Sequence, residues 1–96
     1  MTATRTFHLK ADVSSDDSSG LIAVLEQFVS GHVQAAPHGY RLEGTVVGDS
    51  ARELNRQLLT ALRKVERRTR LRSAWTADGV TERFFDYVPK GVRPAD

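Results

Sequence analysis

Apolar and polar residues alternate from residue 4 to residue 13, near the start of the chain. The apolar side of this alternation consists of Phe7, Leu9, Ala11 and Val13. A period of two predicts a β-strand with one buried face. A second alternating segment, 40–47, predicts another strand, and Gly44 inside it predicts a bulge or close packing at that point.

Two further segments have apolar residues at helical spacing. The first covers residues 21–29; we expect Gly31 to end this helix and residues 34–39 to form a turn-rich connector. The second begins at Ser50, which forms an S-x-x-E capping box with Glu53. Its apolar arc is made up of Leu54, Leu58, Ala61, Leu62 and Val65. The opposite side of the same helix carries a row of arginines, which are Arg52, Arg56, Arg63 and Arg67.

The segment 69–88 contains an Asp-Gly pair between strand-forming residues, so it predicts a β-hairpin with a two-residue turn at Asp78 and Gly79. In this register Ala77 opposes Val80, and opposed residues share a face of the sheet. One face then collects Leu71, Trp75, Ala77, Val80 and Phe84, which suit a core layer. The other face collects Ala74, Thr76, Thr81, Arg72, Arg83 and Phe85, with Arg70 and Tyr87 at its base.

Together these elements predict an α+β fold, a two-layer sandwich with a four-stranded sheet and two helices on one face, in the order βαβαββ. Strand-helix-strand connections are right-handed, so two in succession place both helices on the same side. Residues 1–88 form the single domain in this interpretation. Residues 89–96 contain two prolines and a glycine and are predicted to be a flexible C-terminal tail.

The composition is typical of one soluble globular domain, with 96 residues of which 40% are hydrophobic and 27% charged. The longest apolar run, 21–25, is far shorter than the roughly 20 residues that cross a bilayer. The N-terminus also lacks the apolar region of a secretory signal. We therefore predict a cytoplasmic protein without a membrane partner.

Candidate catalytic and metal-binding patterns are absent from the sequence. The chain has no cysteine, which excludes disulfides, thiolate metal sites and cysteine nucleophiles. Its three histidines, His8, His32 and His38, have no metal-ligand spacing, and no nucleophile elbow, phosphate loop or dinucleotide fingerprint occurs. A pocket near Trp75 and Tyr40 would suit a small molecule, but no pattern supports one. We predict no enzymatic activity, no metal and no cofactor.

Positive charge is concentrated in residues 52–72, which hold eight basic residues against Glu53 and Glu66. This segment has a charge of +6, so the remainder of a chain with net charge +2 carries −4. Such an asymmetry favours an anionic partner.

Besides the interpretation that the C-terminal tail covers Phe85 and the arginines only stack on it in solvent, two functional hypotheses follow for the face of the hairpin that the helices leave bare. It combines Phe85 and Tyr87 with Arg70, Arg72 and Arg83, and His8, Lys10 and Arg41 are neighbours from other strands. Aromatic rings that stack on bases beside cations that hold phosphates form a nucleic-acid platform. The alternative is a homo-oligomer, a protein-protein interaction or regulatory module whose aromatic sheet face is a subunit interface.

The leading prediction is a small nucleic-acid-binding protein that uses the basic and aromatic sheet face. The arginine row of the second helix, Arg52, Arg56, Arg63 and Arg67, is then a secondary electrostatic surface. We rank nucleic-acid binding before self-association because the segment 52–72 has a charge of +6.

The predicted order of elements is similar to that of Alba-like chromatin proteins and of the C-terminal domain of bacterial translation initiation factor three. In Alba-like proteins the loop after the first strand is basic and contacts nucleic acid. Here that loop, 14–20, reads SSDDSSG, and the hairpin tip TADG is also acidic. The resemblance therefore implies a topology and not that mode of binding.

Overall fold

The computed structural model describes residues 4–17 and 19–86 with their side chains, and residues 88–94 by their backbone. The elements are β1 (Arg5–Ser14), α1 (Leu21–Phe28), β2 (Ser30–Ala36), β3 (Gly39–Gly48), α2 (Ala51–Val65), β4 (Arg70–Ala77), β5 (Val80–Phe85) and β6 (Val88–Pro94). All neighbouring strands are antiparallel, in the order β2-β3-β1-β4-β5-β6. The first four strands and both helices follow the β-α-β-β-α-β order of split β-α-β folds.

The α+β class is confirmed, but the four-stranded sheet and the order βαβαββ are wrong. The strands β1 to β5 already exceed four, and β6 continues the sheet beyond β5. The main error concerns Ser30–Ala36, where the sequence predicts a helix end and a connector, and the chain forms β2 instead. Because β2 is an edge strand in which only Val33 and Ala36 are partly buried, it has no clear alternation.

The similarity to Alba-like proteins does not hold, because a strand follows α1 and immediately forms a hairpin with β3. A further strand, β6, begins at Val88 and runs through most of the segment 89–96, which was predicted to be a flexible tail. It pairs with β5 through an irregularity between Arg83 and Phe84.

The predicted close packing at Gly44 is present, and its partner is a second glycine. Gly31 in β2 lies directly opposite Gly44 in β3. A Cβ atom on Gly31 would lie 2.4 Å from the Cα of Gly44 and 2.2 Å from the carbonyl oxygen of Glu43. Such distances exclude any side chain, so these two glycines allow the edge strand to lie close to its neighbour.

The hydrophobic core lies between one face of the sheet and the two helices. The buried side of β1 consists of Phe7, Leu9, Ala11 and Val13, as the alternation predicts. The side chain of Trp75, from β4, is fully buried and meets Phe7 edge to face at 6.2 Å between ring centres. Neither of the two described helices packs on the opposite face of the sheet, which we call the open face.

The starts of α2 and of the hairpin agree with the sequence. Ser50 caps α2, since its hydroxyl accepts a hydrogen bond of 3.1 Å from the amide of Glu53. The β4–β5 hairpin turns at Asp78 and Gly79, and its register pairs Ala77 with Val80 as predicted. The two residues of the turn have positive φ angles of 54° and 77°, as a type I′ turn requires.

A buried polar cluster connects α2 to β4. The side-chain oxygen of Asn55 accepts hydrogen bonds from the hydroxyl of Ser73 at 2.6 Å and from the indole nitrogen of Trp75 at 3.2 Å. The side-chain nitrogen Nδ2 of Asn55 donates a hydrogen bond of 2.7 Å to the backbone oxygen of Asp86. Buried polar groups stabilise a fold when all are paired, and this cluster holds the helix in register with the strand below it.

Candidate functional site

The open face is highly charged. Strand pairing sets its side chains in rows that run across β3, β1, β4 and β5. The charged members of the two central rows are Arg41, Asp12, Arg72, Glu43, Lys10 and Arg83. Their side chains point away from the core, because each residue alternates with a buried neighbour on its strand.

A shallow depression on this face includes Ala74 and is lined by four basic residues, Lys10, Arg41, Arg72 and Arg83, and by Asp12 and Glu43. In β1, Lys10 lies directly opposite Ala74, and in β5, Arg83 lies opposite it on the other side. Arg72 precedes Ala74 by two residues on β4 and so points to the same side. The depression has a volume of about 770 Å³. We call it the Ala74 depression, after the small side chain that stands among longer ones.

The three cations around Ala74 have no carboxylate partner in the part of the chain that the structure describes. The two nearest acidic side chains in the rows have other partners. Asp12 accepts a hydrogen bond of 3.0 Å from the Nε of Arg41. Glu43 lies 2.9 Å from the Nε2 of His8. The depression thus holds four basic residues, Lys10, Arg41, Arg72 and Arg83, against Asp12 and Glu43, so its formal charge is positive.

Phe85 lies at the β5 side of the same face and is half-buried. The guanidinium carbons of Arg70 and Arg72 lie 5.2 Å and 5.4 Å from the centre of its ring. These distances are typical of cation-π contacts, which hold a guanidinium plane over an aromatic face. Tyr87, the second predicted aromatic residue, lies outside the described residues.

Asp86 links the open face to α2. Its carboxylate accepts hydrogen bonds from the amide of Leu71 at 2.8 Å and pairs with Arg70 at 3.0 Å. The guanidinium group of Arg63, from α2, lies 3.6 Å from the same carboxylate. Because Asp86 has a φ of 55°, its backbone turns sharply at the end of β5. Arg70 is thus held at the border of the face by a carboxylate.

The four arginines that were predicted to form a row on α2 differ in their contacts. Arg56 forms an ion pair with Glu53, one turn earlier in the helix. This hydrogen bond, followed by one from Gln57, lowers the pKa of the Glu53 carboxyl. Arg63 donates a hydrogen bond of 3.0 Å to the backbone oxygen of Thr69 and is largely shielded from solvent. Arg52 on α2 is exposed, with no ion pair to any described residue. Arg67 was predicted to lie on the same helix, but α2 ends at Val65; Arg67 follows in a turn, exposed and likewise without an ion pair to a described residue.

The sequence identified most residues of the open face, including Ala74, and named Lys10 as a neighbour without fixing its position. The hairpin register alone places Ala74 opposite Arg83, as predicted. The position of Lys10 depends on the pairing of β1 with β4, more than 60 residues away in the chain. The role of Asp86 was not predicted. The sequence signal that could have indicated it is an aspartate at the end of a strand, next to a turn.

The described residues contain no group of three potential metal-ligating side chains. Neither helix in the described part of the chain is long and apolar enough to cross a membrane. Comparison of the chain with protein-family models, with curated proteins and with solved structures finds no match.

Proposed function

We propose that this protein is a non-enzymatic binding protein for single-stranded nucleic acid, and that the open face is its binding surface. The observation that carries the proposal is the arrangement of Lys10, Arg72 and Arg83 around Ala74. Three neighbouring cations without an acidic partner among the described residues form a surface that attracts phosphate groups.

The spacing of these cations suits a sugar-phosphate backbone. Adjacent strands lie about 4.8 Å apart, so the Cα atoms of Lys10 and Arg83 are separated by about 10 Å across the Ala74 depression. Long side chains on either side can converge on one phosphate or hold two successive ones. The hydroxyls of Thr76 and Thr81, paired at 2.8 Å at the next row of the face, add hydrogen-bonding groups.

Arginine planes at the border of the face provide a surface for bases. The guanidinium groups of Arg70 and Arg72 are held by the ring of Phe85, so their orientation is restricted before a ligand binds. Unpaired bases stack on guanidinium planes as well as on aromatic rings. A flat sheet accommodates a single strand whose bases are splayed out.

The described residues favour this function over a dimer through the same face. An apolar interface needs a continuous hydrophobic patch. On the described part of the open face, Val47 is the one large apolar side chain that is strongly exposed, at 63%, and it lies at the end of β3. Phe85 is half-buried beneath two arginines.

The test compares two triple variants that remove the same charge. The sheet triple variant is Lys10→Ala, Arg72→Ala and Arg83→Ala. The helix triple variant is Arg52→Ala, Lys64→Ala and Arg67→Ala, all exposed cations of the segment at and after α2. Binding of labelled oligouridylate and oligodeoxythymidylate, each of about 12 nucleotides, is measured by fluorescence anisotropy at several salt concentrations.

We expect the sheet triple variant to bind the oligonucleotides at least tenfold more weakly than the wild type. The slope of log K against log salt concentration should also become shallower by about two, because each of the three lost phosphate contacts contributes about 0.7. The helix triple variant should stay within about threefold of the wild type. Equal weakening by both triple variants would show attraction by net charge alone, and unsaturable binding by the wild type would reject the function.

A further inference from the structure

The two edges of the sheet differ in how they are protected against pairing with another strand. The sequence of β6 contains two prolines, a lysine and an arginine, which are the residues that discourage edge-to-edge association. The sequence of β2, SGHVQAA, contains no proline, lysine, arginine or carboxylate. A seven-residue edge strand without these residues is open to hydrogen bonding with a further strand.

The apolar residues at the border of the core lie at the same end of the sheet. The partly buried hydrophobic side chains that pack against the core are Val24, Phe28, Val33 and Tyr40. They belong to α1, β2 and β3, and none of them lies at the β5 end. Apolar surface is therefore available beside the unprotected edge, on the helix side of the sheet.

We propose that β2 pairs with β2 of a second copy of this chain, antiparallel and about a two-fold axis through Val33. Centring on Val33 makes full use of the strand Ser30–Ala36 and places His32 of each copy opposite Gln34 of the other. No like charges then face each other. The two Val33 side chains meet on the helix side, where α1 of each copy adds Val24 and Phe28.

This dimer keeps the open face free, because a two-fold axis perpendicular to the sheet leaves all helices on one side. The two sheets join into one, with the Ala74 depressions separated by seven strand spacings, or about 34 Å, measured across the strands. The inference does not depend on the proposed function, since it concerns a different surface.

The experiment uses two double variants of exposed β2 residues. In the first, His32→Lys and Gln34→Lys, two lysine pairs face each other across the two-fold axis. In the second, His32→Lys and Gln34→Glu, each lysine faces a glutamate. Within one copy these positions oppose Glu43 and Arg41, so His32→Lys and Gln34→Glu place opposite charges side by side within the fold.

Mass is measured by light scattering over a range of concentrations, and amide hydrogen exchange is measured for β2. We expect the wild type to be a dimer whose β2 amides exchange slowly. The lysine-lysine variant should dissociate at roughly tenfold higher concentration than the wild type. The lysine-glutamate variant should dimerise like the wild type or better. A monomeric wild type would overturn the proposal. Dimers of equal stability in both variants would place the interface elsewhere, and dissociation of both would overturn the register.

Discussion

The cations of the open face and the cations of α2 are similar in number but differ in their surroundings. Each region has three with no described carboxylate partner: Lys10, Arg72 and Arg83 on the sheet, and Arg52, Lys64 and Arg67 at α2. On the helix, neighbouring residues one turn apart supply partners, as Glu53 does for Arg56. On the sheet, Glu43 lies opposite Lys10 and Asp12 lies opposite Arg72, but these carboxylates contact His8 and Arg41 instead.

The two regions also differ in density of charge. Arg52 and Lys64 are twelve positions apart on α2, which corresponds to about 18 Å along the helix axis. The three sheet cations all border one residue. The three charges are therefore closer together on the open face than along the helix, and Asp12 and Glu43 of the sheet rows offset only part of their potential. The row of four arginines, conspicuous in the sequence, is the weaker candidate for an anion.

The largest effect is expected where the two regions meet, at Asp86. Replacement of Asp86 by alanine removes the acceptor of the Leu71 amide and the partner of Arg70 and Arg63, and places alanine at a φ of 55°. We expect a loss of about 2–3 kcal/mol in the free energy of unfolding. Urea denaturation followed by the fluorescence of the single tryptophan measures it.

The control for Asp86 is Asp86→Asn, which keeps an acceptor for Leu71 and tolerates the left-handed conformation. It should lose less than half as much stability as the alanine variant. Equal losses would mean that the charge of Asp86, rather than its bond to the backbone, holds the end of β5.

A carboxylate placed at Ala74 should remove the dense positive charge by which the open face differs from α2. Ala74→Glu places one negative charge between Lys10 and Arg83, which pair with it across the strands without loss of fold. Affinity for a single-stranded oligonucleotide should fall by about tenfold or more. The matched control, Ala23→Glu, adds the same charge at an exposed position of α1 and should have little effect.

Removal of the carboxylate that pairs with Arg41 should raise the affinity of the open face for an oligonucleotide, by less than Ala74→Glu lowers it. Asp12→Asn removes the partner of Arg41, which then adds to the positive surface beside Arg72. We expect affinity to rise roughly three- to tenfold at low salt. Asp16→Asn, which releases Arg68 away from the Ala74 depression, changes net charge equally and is the comparison that excludes a general effect.

The smallest effect concerns Glu53, which neutralises Arg56 on α2. Its carboxyl pKa is lowered in the folded protein by the hydrogen bond from Arg56, so the ionised form stabilises the fold above the unfolded-state pKa. That contribution is lost as the pH falls through the lowered pKa. Thermal unfolding of wild type and Glu53→Gln should differ slightly at neutral pH and converge in acid; a constant difference would exclude this ion pair as the cause.

Several parts of the fold were predictable because their signals are local. The Asp-Gly turn specified the hairpin register, and with it the pairing of Ala74 with Arg83. The capping box located the start of α2 within one residue. A half-buried strand such as β1 shows its period directly in the sequence.

The edge strand β2 was not predictable in the same way. Its residues alternate little in burial, and it exists because Gly31 and Gly44 let it lie against β3. Pairing of this kind depends on a partner strand and not on the propensity of the segment itself. The same holds for Asp86, whose contacts come from α2 and β4.

The sequence by itself determined the helix faces, the hairpin with its alternation of core and cationic residues, and the absence of cysteine chemistry, because these depend on residues a few positions apart. Only the tertiary structure decided which strands are neighbours, and hence that Lys10 joins Arg72 and Arg83 around one alanine while Arg63 turns towards Asp86. The physical reason is that contacts between distant segments form through backbone pairing and shared burial of the core, which no local pattern specifies.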